Sequence, residues 1–207
     1  MPLQGALTER VNKAIRAVPV WLLYTLAGAD ILWLFWTGVT GAIGPDPVNL
    51  LERAYGEKAM WLLVATLAVT PLRRFAGINA LPWRRALGQI TFFYALVHLA
   101  VFTFLDIGTL ARLAGEIVKR PYITVGMAAF VLLLPLALTS TNGAIRRLGA
   151  LRWRRLHRLI YPAAVLVGMH NLWVAKGFQW QQVAWLAVIV LLLAVRLIAR
   201  RKTAPRA

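Results

Sequence analysis

The chain has 207 residues, of which 60% are hydrophobic and 15% charged, and its net charge is +17. An apolar fraction this large excludes an ordinary soluble domain and indicates a membrane protein. The sequence contains no cysteine, which excludes thiolate-ligated haem, iron–sulfur clusters, disulfides and thiol catalysis.

The apolar runs predict an all-α fold, a polytopic membrane bundle of six transmembrane helices, over residues 19–199. A segment of residues 1–18 precedes this domain and a basic tail, residues 200–207, follows it. The predicted spans cover about 20–43, 59–71, 86–105, 122–138, 154–173 and 183–198. The second span is short and is expected to begin earlier, near Arg53. Gly44-Pro45-Asp46-Pro47 ends the first span, because proline and glycine interrupt a helix.

The segments between the spans are predicted from their polarity. Residues 46–58 read as a polar loop, residues 110–118 as a short interfacial helix and residues 139–158 as the most basic loop of the chain. A tight turn is expected around Lys176-Gly177. Asp30 lies inside the first span, where it relays protons or touches a quinone or, as we favour, pairs with a neighbouring helix.

The distribution of basic residues predicts the orientation. Eighteen of the 24 lysines and arginines fall on the side that carries both termini, and the richer side is cytoplasmic. Their placement in short clusters between apolar runs also argues against nucleic-acid binding, which needs a continuous basic patch. We therefore expect a multi-pass membrane protein in contact with lipid, with both termini cytoplasmic.

The three histidines are His98, His157 and His170, and all of them lie in or beside apolar segments. Ionisable side chains are costly in a bilayer and mark functional sites there. His98 lies ~18 Å along the third span, and His170 lies at a similar depth on the fifth. Two imidazoles from different helices at one depth predict the axial ligands of a b-type haem. Two such ligands fill the coordination positions of the iron, which favours electron transfer. The simpler alternative is that each histidine only hydrogen-bonds a neighbouring helix.

His157 lies near the inner edge, where two roles stay open. It is either a ligand of a second haem or a histidine that binds propionates, quinone or flavin phosphate. The residues 13 and 14 positions before His98 are Arg85 and Arg84, so a second haem lacks an obvious second imidazole. Arg84, Arg85 and Arg155 are candidate partners of propionates or of an anionic cofactor, besides anchoring the helices at the interface.

A set of short motifs carries a family resemblance. They are Gly44-Pro45-Asp46-Pro47-Val48, Thr70-Pro71-Leu72, Arg84-Arg85-Ala86-Leu87-Gly88, Val97-His98-Leu99, Arg120-Pro121-Tyr122-Ile123-Thr124-Val125-Gly126, Leu138-Thr139-Ser140-Thr141, Leu156-His157 and His170-Asn171-Leu172-Trp173. With these motifs, which cover most of residues 44–176 in order, the chain resembles the MsrQ (YedZ) family. Asn171 departs from the pattern, because tyrosine is expected there.

The resemblance implies the fold of the ferric-reductase and NADPH-oxidase transmembrane domain and a place in the bacterial inner membrane. It implies b haem (one or two), flavin mononucleotide (FMN) and electrons drawn from quinol. The implied partner is a periplasmic molybdopterin methionine sulfoxide reductase, which performs the catalysis, and His98, His157 and His170 match the family's histidines.

Three functions compete. The first is an electron conduit from quinol to the periplasm, and the second is a stand-alone ferric or superoxide-producing reductase of similar fold. No glycine-rich nucleotide fingerprint follows a strand, which disfavours the second. The third is a transporter or structural protein in which the histidines pack or relay protons.

Overall fold

The computed structural model describes residues 2–175 and 179–201, and this part of the chain contains helices and no strand. The nine α-helices are α1 Pro2–Ala17, α2 Val20–Val39, α3 Pro47–Phe75, α4 Arg84–Val101, α5 Leu110–Lys119, α6 Pro121–Leu138, α7 Asn142–Leu156, α8 Ile160–Val174 and α9 Trp180–Arg201. Short 3₁₀ turns, Leu81–Trp83 and His157–Leu159, precede α4 and α8, and a π-helical turn, Phe102–Ile107, follows α4. The all-α prediction is confirmed.

Within residues 2–175 and 179–201, four helical segments are long and apolar enough to cross a membrane. They are Val20–Val39, Leu81–Ile107, Pro121–Leu138 and Trp180–Ile198. The two remaining predicted spans correspond to α3 and α8. Helix α8 has 15 residues and is therefore only ~22 Å long, while α3 has 29 residues but carries four charged side chains in its first half. The six-span topology and the cytoplasmic termini stay predictions.

Two predicted loops are helical instead. Helix α3 begins at Pro47, because the Asp46 carboxylate accepts a hydrogen bond from the Asn49 amide at 3.3 Å and caps the helix. The basic stretch after α6 forms α7, where Thr141 Oγ1 accepts from the Ala144 amide at 3.1 Å, and this helix is kinked at Gly149, whose φ is +73°. These helices were missed because their charged residues hide the apolar period on which the prediction relied.

The fifth predicted span is also divided. Helix α7 ends at Leu156, and the 3₁₀ turn that contains His157 separates it from α8. The interfacial helix predicted at residues 110–118 is present as α5. The turn at Lys176-Gly177 and most of the basic tail lie outside the described residues.

Helix α3 is the centre of the bundle. One side of it packs against α2 and α4 through Leu51 and Tyr55, and another packs against α8 and α9 through Leu63 and Leu67. The buried Arg196 of α9 donates to the carbonyls of Thr66 and Leu67, each at 2.9 Å, and so fixes α9 to α3. Because α6 packs against both α4 and α8, the histidines of α4 and α8 are brought to the same region of the bundle.

Candidate cofactor site

The rings of His98 and His170 lie next to each other, one on α4 and the other on α8. Their centroids are 6.2 Å apart and their planes make an angle of 75°. Since α4 and α8 are separated along the chain by α5, α6 and α7, this pairing depends on the tertiary packing of the bundle. The structure thus brings the two histidines to one depth, as the sequence predicted.

Both imidazoles make the same kind of hydrogen bond to a neighbouring helix. His98 Nδ1 donates to the Glu52 carbonyl on α3 at 2.9 Å, and His170 Nδ1 donates to the Tyr122 carbonyl on α6 at 2.8 Å. A carbonyl oxygen only accepts, so each Nδ1 carries the proton. Each Nε2 therefore keeps its lone pair, which is the form in which histidine binds a metal.

A glycine lies against each imidazole, one turn after the carbonyl that orients it. A Cβ atom added at Gly56 would stand 3.2 Å from His98 Nδ1, and one added at Gly126 would stand 2.7 Å from His170 Nδ1. The second distance is shorter than atoms in proteins tolerate without movement. The absence of a side chain at these positions lets the rings approach the backbones of α3 and α6.

The same arrangement is therefore repeated in two helix pairs. In α3–α4 and in α6–α8, a carbonyl at position i and a glycine at position i+4 of the first helix hold a histidine of the second. We call the end of the bundle with His98 and His170, where α3 and α6 begin, the histidine-pair end. Sequence reasoning missed Gly56, Gly126 and the two carbonyls; the glycines in apolar helices were the available signal.

The donor set at the histidine-pair end fits the iron of a haem. An iron that takes one ring nitrogen from each side at ~2 Å holds the two ring centroids ~6 Å apart, and the observed separation is 6.2 Å. Asn171 Nδ2, next to His170, is buried with no hydrogen-bond partner among the described residues, so it can serve an acceptor on a bound group. No cluster of three or more His, Cys, Asp or Glu side chains that could hold a metal ion is found in residues 2–175 and 179–201.

His157 lies at the other end of the bundle. Its Nε2 is 3.0 Å from Thr139 Oγ1, and the Trp153 indole stacks on its ring with 3.9 Å between centroids. Thr139 follows α6 and stands 17 residues after Tyr122, which corresponds to ~26 Å along the helix. His157 is thus not part of the His98–His170 pair.

The three predicted arginines lie near this second end, which we call the basic end. The Arg84 guanidinium acts electrostatically on the His157 imidazole. Arg85 donates to Asn142 Oδ1 of α7 at 2.7 Å, and Arg155 is exposed on α7. The arginines accompany His157 and do not reach the histidine-pair end.

Asp30 has a partner on a neighbouring helix, as favoured from the sequence. Its carboxylate accepts from Lys58 Nζ of α3 at 2.8 Å and from the Tyr94 hydroxyl of α4 at 2.6 Å. This group of three side chains lies between α2, α3 and α4, apart from the His98–His170 contact.

Comparison with known proteins gives one family and one set of relatives. Residues 55–168 match the family described as "Ferric reductase like transmembrane component". The chain is 44% identical over 179 residues to proteins of Brucella ovis, Brucella suis and Brucella melitensis, each named "Protein-methionine-sulfoxide reductase heme-binding subunit MsrQ". The matched stretch covers 86% of this chain and 81% of each relative. No solved structure matches the chain.

Proposed function

The chain belongs to the MsrQ family of ferric-reductase-like membrane proteins, and from that premise we propose that it is a b-type cytochrome of an electron-transfer chain. It passes electrons from quinol to a periplasmic molybdopterin-dependent protein-methionine-sulfoxide reductase. Reduction of the sulfoxide takes place on that partner, so this chain is the electron-transfer subunit of an oxidoreductase system. The Brucella relatives are named heme-binding subunits, which supports haem in this chain too.

The observation that carries the proposal is the geometry of His98 and His170. Their Nε2 atoms would hold the haem iron, because both Nδ1 atoms are used by carbonyl groups. Haem iron, when bound, supplies one-electron chemistry. Two imidazoles leave no open position on the iron, which favours electron transfer over oxygen binding.

The surrounding residues orient these ligands. The carbonyls of Glu52 and Tyr122 fix the tautomer of each ring and raise the basicity of its Nε2. Gly56 and Gly126 let the rings reach those carbonyls. Asn171 Nδ2 is the candidate donor to a haem propionate, because it is buried with an unused hydrogen-bonding capacity.

We propose that the basic end binds a second anionic group. Arg84 lies near His157 there, and arginine matches carboxylate and phosphate groups in a bidentate way. The candidates are the propionates of a second haem and the phosphate of FMN, with Arg85 and Arg155 as further cations. Direct ligation of iron by His157 would require Nε2 to give up its hydrogen bond to Thr139, so we favour anion binding for this histidine.

The membrane topology completes the proposal. Six spans in the bacterial inner membrane, with both termini cytoplasmic, put the histidine-pair end in the outer half of the bilayer and the basic end at the cytoplasmic face. Electrons then leave from the side on which the periplasmic partner docks.

The test is the absorption spectrum and haem content of the purified protein. A dithionite-reduced sample should show sharp b-type bands, and pyridine haemochrome analysis should return one haem per chain, or two if the basic end also holds one. A reduced sample without those bands would reject both the quinol conduit and the stand-alone reductase.

A second candidate follows from the family that residues 55–168 match, whose description names ferric reductases. In that case the same haem would deliver electrons to ferric ions or oxygen without the sulfoxide-reducing partner. To distinguish the two functions, the reduced protein is mixed with the reductase subunit, with ferric citrate or with oxygen, and the rate of haem oxidation is measured. The favoured function requires fast oxidation only by the subunit.

A further inference from the structure

An ion pair lies half exposed in the middle of a predicted span. Asp30 is ten residues after the start of α2, which corresponds to ~15 Å, about half the thickness of the hydrocarbon core. The side chains of Lys58 and Asp30 are 39% and 38% exposed, although they lie 2.8 Å from each other. Hydrocarbon offers no hydrogen bonds to such groups, so a polar molecule covering them would remove a large cost.

The ion pair is held rigidly in this exposed position. The Tyr94 hydroxyl donates to the second oxygen of Asp30 at 2.6 Å. The Tyr55 hydroxyl donates to the Ile31 carbonyl at 2.8 Å and fixes α2 on α3 at the same level. With both neighbours in place, Lys58 keeps ammonium protons and Asp30 keeps lone pairs that no described residue uses.

The group is also close to the histidine-pair end. Tyr94 precedes His98 by four residues on α4, which places it one turn, or ~6 Å, along the same face. Lys58 follows Gly56, the residue against the His98 ring, by two positions. A molecule on Asp30 and Lys58 would therefore lie near the ligand pair without touching it.

We propose that Asp30, Lys58 and Tyr94 form the head-group site at which a lipid-soluble quinol is oxidised. This inference rests on the proposed function, because it gives the quinol a place on the chain. A quinol has the matching chemistry: its hydroxyl donates to the Asp30 carboxylate, and an oxygen atom attached to its ring accepts from Lys58. The Trp33 indole, three residues after Asp30 and 67% exposed, offers a flat apolar face beside it. A phospholipid keeps its head group at the interface and does not reach this depth.

The site assigns the protons and electrons of the reaction. Oxidation of a quinol to a quinone breaks two O–H bonds and releases two protons and two electrons. Asp30 accepts the two protons one after the other and releases each to the aqueous phase, so its carboxylate is regenerated for the next quinol. A haem held by His98 and His170 would take the two electrons one at a time and would be reoxidised by the reductase subunit after each.

The first experiment compares two reductants on the haem-loaded protein in lipid nanodiscs. Decylubiquinol should reduce wild-type protein rapidly, and Asp30→Asn should slow this rate about 100-fold, the scale of a lost general base. Dithionite should reduce both proteins equally, with unchanged spectra. Asp30→Glu should restore part of the quinol rate, because it restores the carboxylate, and a purely structural role for Asp30 predicts no such rescue.

Tyr24→Phe is the matched control. Tyr24 also joins α2 to α4, by donating to Gln89 Oε1, but it belongs to neither the ligand pair nor the quinol site. This variant should keep the wild-type quinol rate. If Asp30→Asn fails to retain haem, Asp30→Glu and Lys58→Gln replace it. For these two variants the ratio of the quinol rate to the dithionite rate is measured, and both should have a lower ratio than the wild type.

The second experiment detects binding without turnover. A photoactivatable azidoquinone should label α2 or α3 near Asp30 and Lys58, as mapped by mass spectrometry, and excess decylubiquinone should suppress the label. Label found instead in the apolar groove between α8 and α9, lined by Tyr161 and Leu193, or cross-links from α2 to a second copy of the chain, would overturn the proposed site.

The outcomes separate this inference from the proposed function. Equal quinol rates in wild type and Asp30→Asn overturn the quinol site and leave the cytochrome intact. Wild-type protein with b-type bands that decylubiquinol does not reduce also overturns it. Protein without b-type bands rejects the cytochrome itself, and azidoquinone labelling still decides whether a quinone binds at Asp30.

Discussion

The two ends of the bundle use histidine in opposite ways. At the histidine-pair end, two imidazoles face each other and each has its Nδ1 engaged by a backbone carbonyl. At the basic end, His157 directs Nε2 at Thr139, stacks on Trp153 and has Arg84 nearby in place of a second imidazole. The comparison teaches that the presence of a histidine alone does not identify a candidate iron ligand. What distinguishes such a ligand from a polar anchor is which of its two ring nitrogens has no hydrogen-bond partner.

Removal of either member of the pair should have the largest effect. His98→Ala and His170→Ala would each delete one of the two proposed iron ligands, so each variant should lose nearly all of the main haem. Pyridine haemochrome analysis of purified protein measures this loss. If one of the two variants kept full haem with an unchanged reduced spectrum, the assignment of the pair as joint ligands would be wrong.

Filling the space beside His170 should have the next largest effect. In Gly126→Ala the new methyl group would stand 2.7 Å from Nδ1, so the ring must move away from the Tyr122 carbonyl. Overpacking of this kind costs ~1–3 kcal/mol, and loss of the orienting hydrogen bond lowers metal affinity by ~10–100-fold. Haem retention and the midpoint potential, measured by redox titration, report both effects.

Substitutions of two other glycines provide comparisons for this result. Gly56→Ala should act in the same direction but more weakly, because its methyl group would be 3.2 Å from His98 Nδ1. Gly88→Ala on α4 should leave the haem unchanged, because its nearest neighbour, Thr66 Cγ2, would be at an ordinary 3.9 Å. An equal effect of all three would point to a general helix requirement for glycine and not to the histidine contacts.

His157→Ala tests the basic end. The variant should keep most of the main haem, because His157 contacts neither His98 nor His170, and any loss should concern only a second haem or FMN. Haem stoichiometry and flavin content of the purified variant measure the change. Equal loss of the main haem from all three histidine variants would show that the ends are not independent.

Thr139→Val should have the smallest effect. It removes the hydroxyl that His157 Nε2 contacts but keeps the Thr139 carbonyl, which accepts from the Trp153 indole at 2.9 Å. The variant loses two hydrogen bonds of the hydroxyl, one to His157 and one to the Pro135 carbonyl at 2.6 Å. Each contributes ~1 kcal/mol, so thermal unfolding should shift by a few degrees while haem content stays constant. A gain of haem in this variant would instead identify His157 as a ligand restrained by Thr139.

The sequence predicted the parts of this fold that depend on apolar periodicity and on rare residues. Long apolar runs predicted the helices that became α2, α6 and α9, and the cost of an ionisable group in lipid singled out His98, His170 and Asp30. The ring contact of 6.2 Å agrees with the depth argument. Binding of haem by these residues stays a prediction.

Other features could not be predicted because they depend on tertiary contacts. The identity of Lys58 as the partner of Asp30 depends on how α2 lies on α3, and the charges around Lys58 made its part of the chain read as a loop. Helix α7 was hidden by its arginines, although Thr141 caps it in an ordinary way. The carbonyls of Glu52 and Tyr122 carry no side-chain signal at all.

The repeated arrangement of carbonyl, glycine and histidine has a consequence for how such a site can be assembled. Each helix pair supplies one ligand together with its own support, so neither pair alone could clamp a metal from both sides. A protein half as long, containing one such pair, would reach the same architecture only by dimerising about a two-fold axis. The present chain contains both pairs covalently, so a substitution in one pair can change one imidazole without changing the other.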